Sequence, residues 1–145
     1  SQRADVPDRH WFGSHPELLA DLRGPVAAEA IVDIYGAIRD YPYTHEYRVW
    51  PGPNSNTFTA HITRTVPALQ VDFPPTAIGK DYLPGAALIA AAPSGTGAQM
   101  AVVGALGLLV ALEEGIEVNL LGLTLGIDPL DFTIKLPGVG RFGAR

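Results

Sequence analysis

The chain has no cysteine among its 145 residues, which excludes disulfides, thiolate metal sites and a cysteine nucleophile in one step. The same absence leaves the compartment open, since a cysteine-free chain suits cytoplasm, periplasm or the cell exterior equally. Clusters of Lys or Arg are missing too: ten basic residues are scattered against fifteen acidic ones, for a net charge of −5. Binding to a phosphate backbone needs a basic patch, so no nucleic acid partner is expected. Charge of either sign is scarce, 17% against about 25% in an ordinary domain, which leaves more surface neutral or apolar. Uninterrupted apolar runs end at roughly fifteen residues, short of the ~20 a bilayer-spanning helix requires, so no transmembrane span is expected. Ser1-Gln2-Arg3 is followed by no charged-then-apolar leader, and no targeting segment is visible.

What is present is enough for one domain over residues 1–145. At 47% apolar and this length, such a chain buries roughly 68–70% of its unfolded surface. Sixteen glycines and thirteen prolines divide it into short elements. Asp5 to Gly13 reads as a loop anchored by Trp11 and Phe12. Ser14 is placed to cap a short helix from His15 to Leu22, and a second helix begins at Pro25. Ala27, Ala30, Ile31, Ile34, Tyr35 and Ile38 recur at helical spacing along it, up to Arg39-Asp40-Tyr41-Pro42. Glu46 to Trp50 alternates like a short strand. Pro51-Gly52-Pro53 then turns the chain into a third helix, capped within Asn54-Ser55-Asn56 and carrying Phe58, Ile62 and Val66 up to Pro67.

The segment 72–85 is too rich in Pro and Gly for regular structure and predicts an ordered loop able to cover a site. Beyond it, apolar runs at 86–92, 99–103, 107–112, 116–125 and 132–136 are separated by turn chemistry, which predicts an antiparallel sheet. A helix over 98–112 is the rival, opposed by Gly104 and Gly107. Ile116, Val118 and Leu120 alternate with Glu117 and Asn119, and the pattern resumes one residue out of phase at Leu121, which suggests a bulge near Leu120 to Gly122. The fold class is therefore α+β: N-terminal helices, a strand-turn-helix unit and a C-terminal antiparallel sheet. One face of that apolar sheet is expected to pack on another copy, a missing segment or a membrane partner.

Chemistry-bearing residues are few. Asn54, Ser55, Asn56 and Thr57 crowd the head of the third helix, where they cap backbone amides or bind an anion or other ligand. Lys80 and Asp81 form either a polar pair on a lid over Ser55 or a solvated ion pair. His10 and His15, with Asp8 nearby, have a spacing too unspecific for a metal site, and no cofactor is implied. Ser94-Gly95-Thr96-Gly97 lacks the lysine of a phosphate loop and reads as a hairpin turn. Glu113, Glu114 and Glu117 are the densest acidic group, read as a solubilising turn rather than a glycosidase pair.

Trp50-Pro51-Gly52-Pro53-Asn54-Ser55-Asn56-Thr57-Phe58, with Phe73 to Tyr82, Glu114 to Leu123 and Lys135 to Arg141, resembles the bacterial family called domain of unknown function 3750. The resemblance runs from Trp11 onward. It implies a further N-terminal part, making this chain the C-terminal part of a longer precursor. More distantly, Asn54-Ser55-Asn56-Thr57-Phe58 is similar to the Asn-Cys-Asn-Thr-Phe motif of circularly permuted papain-like hydrolases, the NlpC/P60 and lecithin-retinol-acyltransferase group. That likeness implies a permuted papain-like fold, Ser55 at the nucleophile position, and Asn54 with the amides of Asn56 and Thr57 near an oxyanion. His45 is the candidate base within this chain, and His61 points to another face of the helix. Two functions follow: a non-catalytic relative that binds a small molecule, a protein or the cell envelope, or a hydrolase or acyltransferase using Ser55.

Overall fold

The computed structural model describes residues 10, 15–83 and 87–143. The expected loop with Trp11 and Phe12, the cap at Ser14 and Asp8 lie outside the described residues. Two helices precede a seven-stranded sheet, α1 (Gly24–Arg39) and α2 (Ser55–Thr65), so the α+β expectation holds. α1 starts where Pro25 presets helical backbone in the first turn. It stops at Asp40, whose amide donates to Gly36 O at 3.1 Å just ahead of Pro42.

Two sequence expectations fail in this half. His15 to Leu22 forms no helix. So short a segment gains little from helical hydrogen bonds, and Leu19 and Leu22 reach the apolar clusters from irregular backbone instead. Glu46 to Trp50 forms no strand either, because among the described residues no strand lies alongside it: the Arg48 amide donates to Pro53 O at 2.8 Å and closes a loop. On α1 only Ala30 and Ala37 are buried, with Ile34 half-buried, whereas Ile31, Tyr35 and Ile38 are exposed. A narrow strip of small side chains meets α2, and among the described residues most of the predicted stripe stays uncovered.

The apolar core is correspondingly small. Ala30, Ala37 and Val66 pack with Ile34 and Ile62 between the helices, and Ala60, Val71 and Phe73 join α2 to the loop that follows it.

The sheet is a simple meander, with strands β1 (Ile89–Ala91), β2 (Gly97–Val102), β3 (Leu106–Ala111), β4 (Gly115–Leu120), β5 (Leu123–Asp128), β6 (Thr133–Leu136) and β7 (Gly140–Gly143) paired in chain order. The rival helix over 98–112 is replaced by the β2–β3 hairpin, and Ser94 to Thr96 lie in the turn between β1 and β2, with Gly97 opening β2, as the composition of this segment indicated. The phase slip after Leu120 is a hairpin turn rather than a bulge. Leu120 pairs with Leu123, and Leu121 and Gly122 between them both take positive φ, 55° and 83°, as a two-residue turn requires.

Alternation along the strands is as regular as the sequence suggests, but its sense is the reverse of the usual one. Beside the buried apolar Ala101 and Leu109, the buried side chains are Gln99, Glu117, Asn119, Thr124, Asp128, Thr133 and Lys135, while Met100, Leu108, Val118, Leu125 and Ile134 lie about half exposed. The covering layer explains this. α2 and the loop after it bring Arg64, Asp72, Lys80 and Asp81 against the polar face, where each meets a partner of opposite charge or matching hydrogen-bond type.

Candidate functional site

α2 is capped as its sequence demands. The Asn54 side-chain oxygen accepts from the amides of Asn56 at 2.9 Å and Thr57 at 3.1 Å, and Thr57 Oγ1 returns an acceptor to the Asn54 amide, completing a capping box. The other half of the Asn54 amide group donates to Val49 O and Ile78 O, both at 3.0 Å. Asn56 Nδ2 donates to Ile78 O at 2.8 Å, and Thr57 Oγ1 to Gly79 O at 2.7 Å. These three side chains therefore clasp the turn at 49–54 to the loop at 78–79. Gly79 is required there: its φ is +99°, and an added Cβ would fall 2.4 Å from Asn54 Nδ2.

Trp50 fixes the other side of the turn, donating from Nε1 to Leu121 O at 2.8 Å. That contact brings the turn onto the tip of the β4–β5 hairpin. A Cβ on Gly122 would meet the same indole nitrogen at 2.9 Å.

Ser55 is the exception in this cluster. It is exposed at the head of α2, and its hydroxyl makes no hydrogen bond among the described residues. A cavity of about 550 Å³ opens beside it, lined by Tyr41, Tyr43, His45, Tyr47, Ser55 and Phe58 among others. Asn54 and Ser55 also border a second hollow of about 300 Å³, walled by Tyr47, Val49, Trp50 and Ile78. Ser55 also borders a third hollow of about 300 Å³, with Asn56, Pro74, Thr76 and Ala77.

Aromatic packing gives the larger cavity its shape. Tyr41 meets Phe58, Tyr43 and His61 edge-on, with centroids 5.0, 5.9 and 5.4 Å apart, and Tyr43 meets Tyr82 at 5.7 Å. Burial, followed by the neighbouring phenols of Tyr43 and Tyr82, raises the Tyr41 pKa. Tyr41 is therefore a neutral hydrogen-bonding group at physiological pH and not a base. His61 points away, as its helical offset requires, with its Nε2 at 3.1 Å from Ala37 O of α1.

The predicted site residues separate into three groups. Ser55 and His45 line one cavity, although no hydrogen bond joins them. Asn54, Asn56 and Thr57 surround Ser55 but spend their polar groups on the clasp, and the Asn56 and Thr57 amides expected near an oxyanion are held by Asn54. Lys80 and Asp81 leave the site altogether. They are neither a lid nor a solvated pair, being 2% and 3% exposed beneath the sheet. Missed by sequence reasoning were Tyr41, Tyr43 and Tyr47, whose concentration within seven positions was the available signal.

Under the sheet, Glu117 accepts from Lys80 at 2.6 Å and Lys135 at 2.6 Å, and Lys135 also reaches Asp72 at 2.7 Å and Glu114 O at 2.9 Å. Arg141 pairs with Asp72 at 2.8 Å. Asp81 accepts from Lys80 at 2.9 Å, Gln99 at 2.7 Å and Asn119 at 2.5 Å. Arg64 donates to Gln99 Oε1 at 2.5 Å, and burial lowers its pKa to about 10. Burial also works against the Lys80 ammonium, but Asp81 and Glu117 outweigh it and raise its pKa. Glu114 accepts from both the amide and the hydroxyl of Ser94. Glu114 and Glu117 are thus buried structural groups, not a solubilising turn. Cations and carboxylates balance, which is the condition for burying either.

The family model of DUF3750, a protein of unknown function, matches residues 1–82, more than half of the chain. The match takes in both helices, the clasp and the Phe73 to Tyr82 segment, and it ends before the sheet. No curated protein and no solved structure matches the chain.

Proposed function

The chain belongs to the DUF3750 family, and on that premise we propose that it is a non-catalytic binding protein whose ligand seats in the tyrosine-lined cavity beside Ser55. The carrying observation is the division of labour at the head of α2. The Asn56 and Thr57 amides that could stabilise an oxyanion there are held by the Asn54 side chain, while Ser55 and His45, whose side chains make no hydrogen bond among the described residues, line an aromatic-walled cavity. Such a lining, mostly apolar with a few convergent polar groups, suits a small ligand with a flat apolar body and one hydrogen-bonding end. Bacterial origin, cell-envelope association and descent from papain-like hydrolases belong to the same proposal: the first rests on the family resemblance, the last on the Asn54 to Phe58 motif.

A second reading has one observation in its favour: Ser55 is accessible at a helix head in the same cavity as an imidazole. In a hydrolase, His45 would accept the Ser55 proton as the oxygen attacks an acyl carbon. A fluorophosphonate probe separates the two. No labelling of the chain is the expected result, whereas labelling that disappears in Ser55→Ala establishes the hydrolase. Ligand-observed NMR with a panel of small aromatic and sugar fragments tests binding directly. Fragments that bind should lose contact in Tyr47→Ala, and a panel with no hit dependent on the cavity residues refutes the assignment.

A further inference from the structure

We infer that the exposed apolar face of the sheet is a self-association surface, and that two copies pack these faces together as a two-fold β-sandwich. The argument is independent of the cavity. Every outward position on the central strands is apolar: Leu108 of β3, Val118 of β4 and Leu125 of β5 lie side by side in register, and each is about half exposed. The polar side chains of the same strands all turn inward.

Area decides whether this is a patch or an interface. Seven strands at ~4.8 Å spacing, with up to six residues each at ~3.4 Å rise, make a surface of roughly 30 by 20 Å. That is ~600 Å² before the corrugation of half-exposed side chains is added, already at the upper end of the roughly 300–600 Å² of the largest patch on a typical monomer. Two such faces together bury at least ~1,200 Å², the range of stable specific complexes.

Chemistry selects a second copy over a bilayer. A face with no charged side chain meets its own image without like-charge repulsion, and a two-fold contact of this kind closes on itself. The side chains are those that fill the inner faces of sandwiches, where sheets stack about 10 Å apart. A bilayer surface instead selects for basic residues around the apolar face. Lys135 and Arg141, the cations of the last two strands, are drawn under the sheet, and the chain carries a net charge of −5.

Sedimentation equilibrium of the chain tests this at micromolar concentration. The expected mass is twice that of one chain, falling to that of a single chain in Val118→Glu/Leu125→Glu, with an unchanged β-sheet circular dichroism spectrum. Because the chain has no cysteine, Val118→Cys supplies a second measurement that leaves the face apolar. Under mild oxidation it should cross-link to itself, whereas Glu29→Cys, exposed on α1, should not. A wild-type monomer at tens of micromolar overturns the inference. A dimer indifferent to the glutamates, or one cross-linked through Glu29→Cys, also overturns it, and so does a monomer that floats with uncharged phosphatidylcholine vesicles, which would assign the face to lipid.

Discussion

The two faces of the sheet are built from the same strands, one residue apart, and follow opposite rules. The inner face is mostly polar or charged and is covered, with Lys135 at 0% exposure, while the outer face is apolar and open in the single chain. Hydrophobicity alone would assign these roles the other way round. What fixes the inner face is satisfaction: α2 and the 66–83 loop present Arg64, Asp72, Lys80 and Asp81 in positions that meet Gln99, Glu117, Asn119 and Lys135. Among the described residues only Arg141 Nε is a buried side-chain nitrogen or oxygen without a partner. The difference shows that a sheet's alternation specifies two surfaces, and that the covering layer decides which of them is the interior.

The largest test of that comparison lies at adjacent residues of β6. Lys135→Met removes the amine shared by Asp72 and Glu117 and leaves two buried carboxylates undercompensated, a loss of about 3–5 kcal/mol in urea denaturation. Ile134→Val, one position along and half exposed, should cost about 1 kcal/mol or less. Equal costs at the two positions would break the comparison.

β2 offers a gentler version of the same pairing. In Gln99→Met the guanidinium of Arg64 and the carboxylate of Asp81 each lose one hydrogen bond, so a loss of about 1–3 kcal/mol is expected. Met100→Leu exchanges one half-exposed apolar side chain of the outer face for another of similar size, with an effect within about 0.5 kcal/mol. Urea midpoints of the two variants at one protein concentration give the ratio.

Much of this arrangement was legible before any coordinates, and the parts that were not share a cause. The limits of α1, the cap at Asn54, the turn at Ser94 to Thr96 and the antiparallel sheet all follow from local chemistry: Pro in a first turn, an Asx side chain before a helix, Gly where φ is positive. The His15 to Leu22 helix and the Glu46 to Trp50 strand were local signals that no tertiary partner sustained. The inverted sheet was hidden because a Lys or Glu on a strand is read as solvated until a counter-ion is known, and those of Lys135 and Glu117 come from Asp72 and Lys80, far away in sequence. At the candidate site, Ser55 and His45 were singled out by the resemblance of the Asn54 to Phe58 motif to papain-like hydrolases and by the histidine inventory, and both line one cavity. The tyrosine wall was not, because a run of tyrosines before a turn carries no motif.

The smallest expected effect is the most specific to the inner face, since the outer face of the strands has no titrating group. Burial raises the pKa of Glu114 above its ordinary 4.5, against the hydrogen bonds from Ser94, and raises that of Asp72 above 3.8, against Lys135 and Arg141. Both carboxyls therefore bind a proton more tightly in the folded chain than in the unfolded one. Over the window that opens upward from those ordinary values, the folded state holds more protons, so these two groups make stability fall as pH rises. Their contribution in acid is the reverse of that of a salt-bridged carboxylate with a depressed pKa, which loses stability as it is protonated. Thermal melts from pH 7 down to about 4.5 should accordingly show a smaller acid penalty in the wild type than in Glu114→Gln, where one of the two groups is gone. Parallel profiles would mean that the Glu114 carboxyl is solvated, and that the inner face is wetter than its geometry requires.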